Sequence, residues 1–214
     1  MGLIKNFFQA TARPEGLLGR LMLSTMNAGH AGLSDWGMAQ LQGLSPESIL
    51  EIGCGAGRNA GELLKKYPSA HVTAIDHAEL SVERTRDYNR KAIEKGRMQV
   101  ETGDVASLRL PKSSFDLATA FETVYFWEDL DRCFAQVSGV LRAGGCFFIC
   151  NESDGTDAAG QHFEKIIEGM HCHTAEELRQ TLLRCGFSDV RICHHPSRPW
   201  ICLVATKSVE DKKA

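Results

Sequence analysis

Apolar and polar positions change rhythm along this chain. From about residue 48 onward, short apolar runs alternate with helical stripes. The run Ser48-Ile49-Leu50-Glu51-Ile52 predicts a strand, broken by Gly53-Cys54-Gly55-Ala56-Gly57. Ala60, Leu63, Leu64 and Tyr67 then recur at helical spacing, and Pro68 ends that helix. Residues 72–75 predict a second strand. A charged helix over 79–95 follows, closed by Gly96 as its C′ glycine. Met98–Thr102 and Phe115–Phe121 predict two more strands. Trp127, Leu130, Phe134, Val137 and Leu141 form the next helical stripe, with Glu128 and Asp129 in its first turn, where the helix dipole favours acids. Gly144-Gly145 turns the chain into a fifth strand, 146–150. Thr174-Ala175-Glu176-Glu177 fits a capping box, and Gly186 ends that helix. Strands at 188–193 and 200–206 close the pattern; the linker between them is short enough for an antiparallel pair.

Strands alternating with helices predict an α/β fold, a parallel sheet with helices on both faces. Its ligand belongs in the crevice at the carboxyl ends of the strands. The first 45 residues read as helices only. Leu17, Leu18, Leu21 and Met22 make one stripe; Leu33, Trp36 and Leu41 make a second, which Ser34 or Asp35 can cap. The expected organisation is a helical cap over 1–45, a sheet domain over 46–206 and a charged tail over 207–214. The cap is expected to act as a lid, with His30 and Trp36 lining the pocket.

Composition narrows the function. At 214 residues, one domain plus an appendage is favoured. The formal net charge is −3, from 24 Lys and Arg against 27 Asp and Glu. That argues against binding by phosphate neutralisation. No apolar run is long enough to span a bilayer, and no secretory signal is evident. The eight cysteines lack any CxxC pair and sit mostly in apolar runs, which reads as reduced thiols in a cytoplasm. His171-Cys172-His173 and His194-His195 lack the spacing of a strong metal site, so no metal is expected.

The strongest chemical signal is the glycine loop between strand and helix. Glycine lets a ligand approach the backbone, and a helix N-terminus offers amide donors. Asp76 ends the second strand, 19 residues past Gly57, where a carboxylate can accept both ribose hydroxyls. Gly103-Asp104 ends the third strand, placing an acceptor for an adenine amino group.

Glu51-Ile52-Gly53-Cys54-Gly55-Ala56-Gly57 resembles motif I of the class I S-adenosylmethionine-dependent methyltransferases. Asp76, Gly103-Asp104, Phe115-Asp116-Leu117 and Leu141-Arg142-Ala143-Gly144-Gly145 match later motifs in order and spacing, over about residues 46–206. Within the superfamily the chain is similar to the ubiquinone/menaquinone-biosynthesis-like (methyltransferase type 11) small-molecule branch. The resemblance implies a Rossmann-like seven-stranded sheet, mostly parallel with an antiparallel last strand, and S-adenosyl-L-methionine as cofactor. It implies that Gly53, Cys54 and Gly55 face the methionine moiety, with Glu51 anchoring the loop and the donor's ammonium. Asp76 would hold the ribose and Asp104 the adenine amino group, near the Val105 amide. His77 would flank the adenine, where the family more often has an apolar residue. Phe121 would offer its carbonyl to the ammonium, and Glu122 would border the methyl group.

A base is needed only for a protonated acceptor. His30, Glu122, Tyr125 and Glu152 are candidates by location, and His30, Glu122 and Tyr125 are the expected catalytic set. The expected partner is a small-molecule acceptor, with neither nucleic acid nor a membrane; a homodimer is open. Two alternatives stand beside this reading. One is an NAD-dependent oxidoreductase, disfavoured because the loop is G-x-G-x-G and not G-x-G-x-x-G. The other is a module that binds the cofactor without catalysis.

Overall fold

A computed structural model of the protein describes residues 30–209. The stripe at Leu17 to Met22, most of the expected cap and the end of the charged tail lie outside the described residues. In chain order the elements are α1 (Ala31–Ala39), β1 (Ser48–Ile52), α2 (Arg58–Lys66), β2 (His71–Asp76), α3 (Glu79–Tyr88), α4 (Arg90–Glu94) and β3 (Met98–Thr102). There follow β4 (Phe115–Phe121), α5 (Leu130–Val140), β5 (Leu141–Asn151), α6 (Ala158–Ile166), α7 (Ala175–Arg184), β6 (Phe187–His194) and β7 (Ile201–Lys207).

The seven strands form one sheet in the order β3-β2-β1-β4-β5-β7-β6. The pairs from β3 through to β5 are parallel, and β7 runs against both its neighbours. This is the expected α/β architecture. The last strand inserts between β5 and β6, so the hairpin folds back into the sheet. Successive strand residues point to opposite faces. Ile49, Leu117, Phe148 and Cys202 pack on one face with Leu33, Leu63 and Val82 of α1, α2 and α3. Leu50, Ala118, Phe147 and Leu203 pack on the other with Phe134 and Val137 of α5 and Leu178 and Leu182 of α7.

Four local expectations are corrected. The helix expected over 79–95 is two helices. Asn89 breaks it because its buried side-chain amide donates to the carbonyls of Gly57 and Thr85, at 2.8 and 3.1 Å. The helix expected from Trp127 begins at Leu130. Asp129 is its N-cap, accepting from the Arg132 amide at 3.0 Å, and Leu141 already belongs to β5. Neither Ser34 nor Asp35 caps α1, since both lie inside it and His30 holds the N-cap position. Trp36 does not line the crevice. Its ring packs against His195 and Trp200, at centroid distances of 5.4 and 6.1 Å. The capping box at Thr174 and Glu177 is present as expected.

Candidate active site

The chain crosses from one half of the sheet to the other between β3 and β4, which leaves β1 and β4 adjacent. In open α/β sheets that switch point is where ligands bind. Here it opens into a crevice of about 1090 Å³. Single-ligand pockets occupy about 300–1,000 Å³, so the space accommodates a cofactor and a small second ligand. Gly53, Cys54, Gly55, Asp76, His77, Asp104, Val105, Phe121, Glu122 and His30 all border it. Glu51 and Tyr125 do not border it: Glu51 is buried on β1 two residues before Gly53, and Tyr125 is buried and donates to Glu122.

The loop is held from below. The amides of Gly53 and Cys54 both donate to the Ile75 carbonyl, at 2.8 and 3.0 Å. The Gly55 amide donates to Oδ2 of Asp76 at 3.0 Å. These three amides are therefore spent within the protein, contrary to the expectation of free donors. What the loop contributes is close approach. Gly53 has φ +74, and a Cβ there would stand 2.4 Å from the Thr123 hydroxyl. Gly55 has φ +54, and a Cβ there would meet nothing within 4 Å. Gly55 thus leaves a cradle that a side chain would occupy.

Among the enclosed side-chain atoms without a partner, two belong to residues that flank the glycine loop in sequence. Glu51 is buried, and burial pushes its carboxyl up to about 8 although the Thr119 hydroxyl donates to Oε2. Its Oε1 has no partner. Nη1 of Arg58, the first residue of α2, is also enclosed and unpartnered. A carboxylate before the loop and a guanidinium at its end suit the ammonium and carboxylate of an amino-acid moiety. Asp76 keeps both oxygens anchored, Oδ2 by Gly55 and Oδ1 by the Ala78 amide at 3.0 Å. Asp104 accepts from the Ala106 amide at 2.9 Å. With the Gly55 cradle, these residues fit S-adenosylmethionine.

At the other end of the crevice, Glu122 follows β4 with φ +58, a backbone region costly for a residue with a Cβ. Its Oε1 accepts from the Tyr125 hydroxyl at 3.1 Å and from the Glu152 amide. The Ser153 amide donates to the Tyr125 oxygen at 3.0 Å, which fixes the ring. Burial, and then the Glu152 charge, push the Glu122 carboxyl up to about 8. Burial and Glu122 together push the Tyr125 phenol well up. His30, at the start of α1, places Nδ1 3.9 Å from Glu122 and Nε2 3.6 Å from Glu152.

Several crevice residues had no clear signal in the sequence. Arg58 immediately follows the last loop glycine, and Ser34 lies one turn past His30. Thr123 packs against Gly53. Residues 156–173 follow the fifth strand. They contain α6, and Glu168 and Gly169 beyond it border the crevice. His162 does not border it; His171 pairs with Glu164 at 2.7 Å.

Residues 49–145 match the family described as methyltransferase domain. Malonyl-[acyl-carrier protein] O-methyltransferase of Geobacter sulfurreducens is 30% identical over 174 residues, covering 74% of this chain and 64% of that protein. The O-methyltransferase cnsE of Penicillium expansum is 29% identical over 179 residues, covering 78% and 63%. The chain thus spans under two thirds of the length of these relatives. In fold it is similar to Haemonchus contortus phosphoethanolamine N-methyltransferase 2, solved with S-adenosyl-L-methionine, at a TM-score of 0.71 and 13% identity over 83% of this chain and 53% of that one. Motif order, sheet topology and the matched segment agree: residues 49–145 carry a methyltransferase domain, similar to those of the class I S-adenosylmethionine-dependent methyltransferases.

Proposed function

We propose that the protein transfers the methyl group of S-adenosylmethionine to a small-molecule acceptor by in-line displacement. The observation that carries this is the pair of enclosed, unpartnered atoms at the glycine loop, Glu51 Oε1 and Arg58 Nη1, which an amino-acid moiety would satisfy. On this reading Asp76 holds the ribose, Asp104 and the Val105 amide read the adenine, and His77 flanks it. Gly53, Cys54 and Gly55 contact the methionine by close approach, and Phe121 offers its carbonyl. The leaving thioether is neutral, so alignment supplies most of the rate. His30, Glu122 and Tyr125 form the acceptor end, with Tyr125 acting through Glu122. The segment 1–45 serves as a lid that excludes water from the reactive sulfonium. Residues 46–206 are the catalytic domain, and 207–214 form a tail.

The free thiols of all eight cysteines support a reducing, cytoplasmic setting. By their descriptions the relatives named above are O-methyltransferases, one of them acting on malonyl-[acyl-carrier protein], and the acidic balance disfavours nucleic acid. Among the described residues, no helix is long and apolar enough to cross a membrane. The working unit is a single chain or a homodimer, which light scattering distinguishes. Calorimetric titration with S-adenosylhomocysteine and, separately, NADH tests the cofactor. Micromolar binding of the first alone is expected; binding of NADH alone overturns the reading.

A further inference from the structure

Three side chains from three separate elements meet at the acceptor end of the crevice. They are arranged in order of exposure. Glu122 is 12% exposed, His30 31% and Glu152 52%. Oε1 of Glu122 is occupied by the Tyr125 hydroxyl and the Glu152 amide, and its Oε2 is the oxygen turned towards the imidazole. The imidazole faces a carboxylate at each ring nitrogen, Glu122 at Nδ1 and Glu152 at Nε2. An imidazole so placed can take a proton on one nitrogen and release one from the other. The three groups lead from a buried carboxylate to a solvent-facing one.

We propose that Glu122, His30 and Glu152 form a proton exit path, and that the acceptor is a small molecule methylated on an acidic hydroxyl, phenolic or enolic. This rests on the reading of the crevice as a methyl-transfer site. The acceptor oxygen attacks the sulfonium methyl, forming the O–C bond. The C–S bond breaks with its electron pair going to sulfur, leaving a neutral thioether. The hydroxyl proton passes to Oε2 of Glu122, then through His30 to Glu152 and water. Charge balances: a cationic donor and a neutral hydroxyl give two neutral products and one proton.

The alternatives suit the site less well. A carboxylate acceptor carries no proton to export. An ammonium acceptor beside two carboxylates would be held in its charged form, which has no lone pair for attack. The imidazole also fills the space between the carboxylates that an ammonium would take. Besides His30 and Glu152, the groups facing Glu122 are the Tyr125 phenol on its own loop and the thiols of Cys150 on β5 and Cys172 before α7. None of these is a cation, so a proton on Glu122 is not opposed by a fixed positive charge.

The test uses the full chain with S-adenosylmethionine and three matched probes, phenol with its 4-nitro and 2-hydroxy derivatives, benzylamine and benzoate, read as S-adenosylhomocysteine released. The phenols are expected to turn over, and benzylamine and benzoate not. Glu122→Gln should lower kcat about 10²–10⁴-fold, the usual scale for a general base, with S-adenosylhomocysteine affinity unchanged. His30→Ala should lose activity that added imidazole restores. Glu152→Gln removes a charge that raises Glu122, so the acid limb of the kcat profile should move to lower pH. A purely structural role would give neither the rescue nor the shift. Turnover of benzylamine or benzoate but not the phenols overturns the inference and leaves the methyltransferase reading standing. Failure to bind S-adenosylhomocysteine sinks both. If no probe turns over, carbon-13 NMR of the Glu122 carboxyl in the S-adenosylhomocysteine complex decides. Its titration should fall on Glu152→Gln, and an unchanged titration overturns the path. The three ligand atoms also lie within 4.8 Å of one another, close enough for one cation. Turnover abolished by EDTA and restored by Mn²⁺ would make the trio a cation site and overturn the proton path.

Discussion

Nη2 of Arg58 lies 2.7 Å from Oδ1 of Asp35, so one ion pair ties the start of α2 to α1 across the rim of the crevice. The same guanidinium keeps Nη1 enclosed without a protein partner. Asp35 is largely exposed, and exposed ion pairs contribute about 0–1 kcal/mol. The enclosed Nη1 has more to gain from a cofactor carboxylate, since a hydrogen bond to a charged group is worth about 1.5–3 kcal/mol. Arg58→Ala should therefore weaken S-adenosylhomocysteine binding by about 10–100-fold, and Asp35→Ala by less than about 5-fold. Calorimetry separates them; equal losses would mean that the rim pair, not the free nitrogen, is what the cofactor needs.

Asp76 performs two tasks with one carboxylate. It accepts from the Gly55 and Ala78 amides, and it borders the crevice where a ribose would sit. Asp76→Ala should lower cofactor affinity by at least about 10–100-fold through the lost charged hydrogen bonds. It should also lower the melting temperature, because two amides lose their acceptor. Asp76→Asn keeps one carbonyl acceptor and should recover part of the stability but little of the affinity. Wild-type binding by the alanine variant would exclude the ribose role.

The fold was legible because strand and helix periods differ and breakers such as Gly53, Pro68, Gly96 and Gly186 separate several of the elements. Ser48–Ile52 and Phe115–Phe121 are read to the residue, since buried parallel strands are near-continuous apolar runs. The break at Asn89 was not legible. Helical spacing continues through it, and only a contact to Gly57, 32 residues away, interrupts the helix. Most of the residues read as cofactor-binding border one crevice, because they follow strand ends at regular spacing. The acceptor side was legible only as a neighbourhood. Glu122 and Glu152 end adjacent strands, but their meeting with His30 depends on how α1 packs on β5. Trp36 shows the same limit. It shares a helix with His30, yet its ring turns to Trp200 and not to the crevice.

Two glycines of the loop should fail in different ways. At Gly53 a Cβ would meet the Thr123 hydroxyl and, at 2.7 Å, the Thr123 Cβ, and φ is +74. Gly53→Ala should destabilise the fold itself, by the roughly 1–2 kcal/mol of a left-handed non-glycine residue plus the clash. At Gly55 the protein offers open space, so Gly55→Ala carries the conformational cost without the clash. Its methyl group would enter the cradle and should cut cofactor affinity more than it lowers the melting temperature. Thermal melts with and without S-adenosylhomocysteine test the pair. The expected pattern is a larger drop without ligand for Gly53→Ala and a larger loss of ligand-induced gain for Gly55→Ala.

On the proposed reading, Glu51 should couple cofactor binding to pH. Burial pushes its carboxyl up to about 8, against an ordinary value near 4.5. Between those values the folded protein holds a proton that the unfolded chain has released. Folding then takes up a proton, so this group's contribution to stability is largest at low pH and falls as pH rises from about 4.5 to about 8. The limiting slope is about 1.4 kcal/mol per pH unit. Glu122 shifts in the same direction, so the difference between wild type and Glu51→Gln isolates Glu51. An ammonium docked at Oε1 favours the carboxylate and should expel the proton. Binding of S-adenosylhomocysteine at pH 7 should therefore release a proton, seen as a calorimetric enthalpy that changes with the ionisation enthalpy of the buffer. Glu51→Gln should abolish that release and flatten the stability profile. A wild-type enthalpy independent of buffer would show that the ammonium does not reach Glu51.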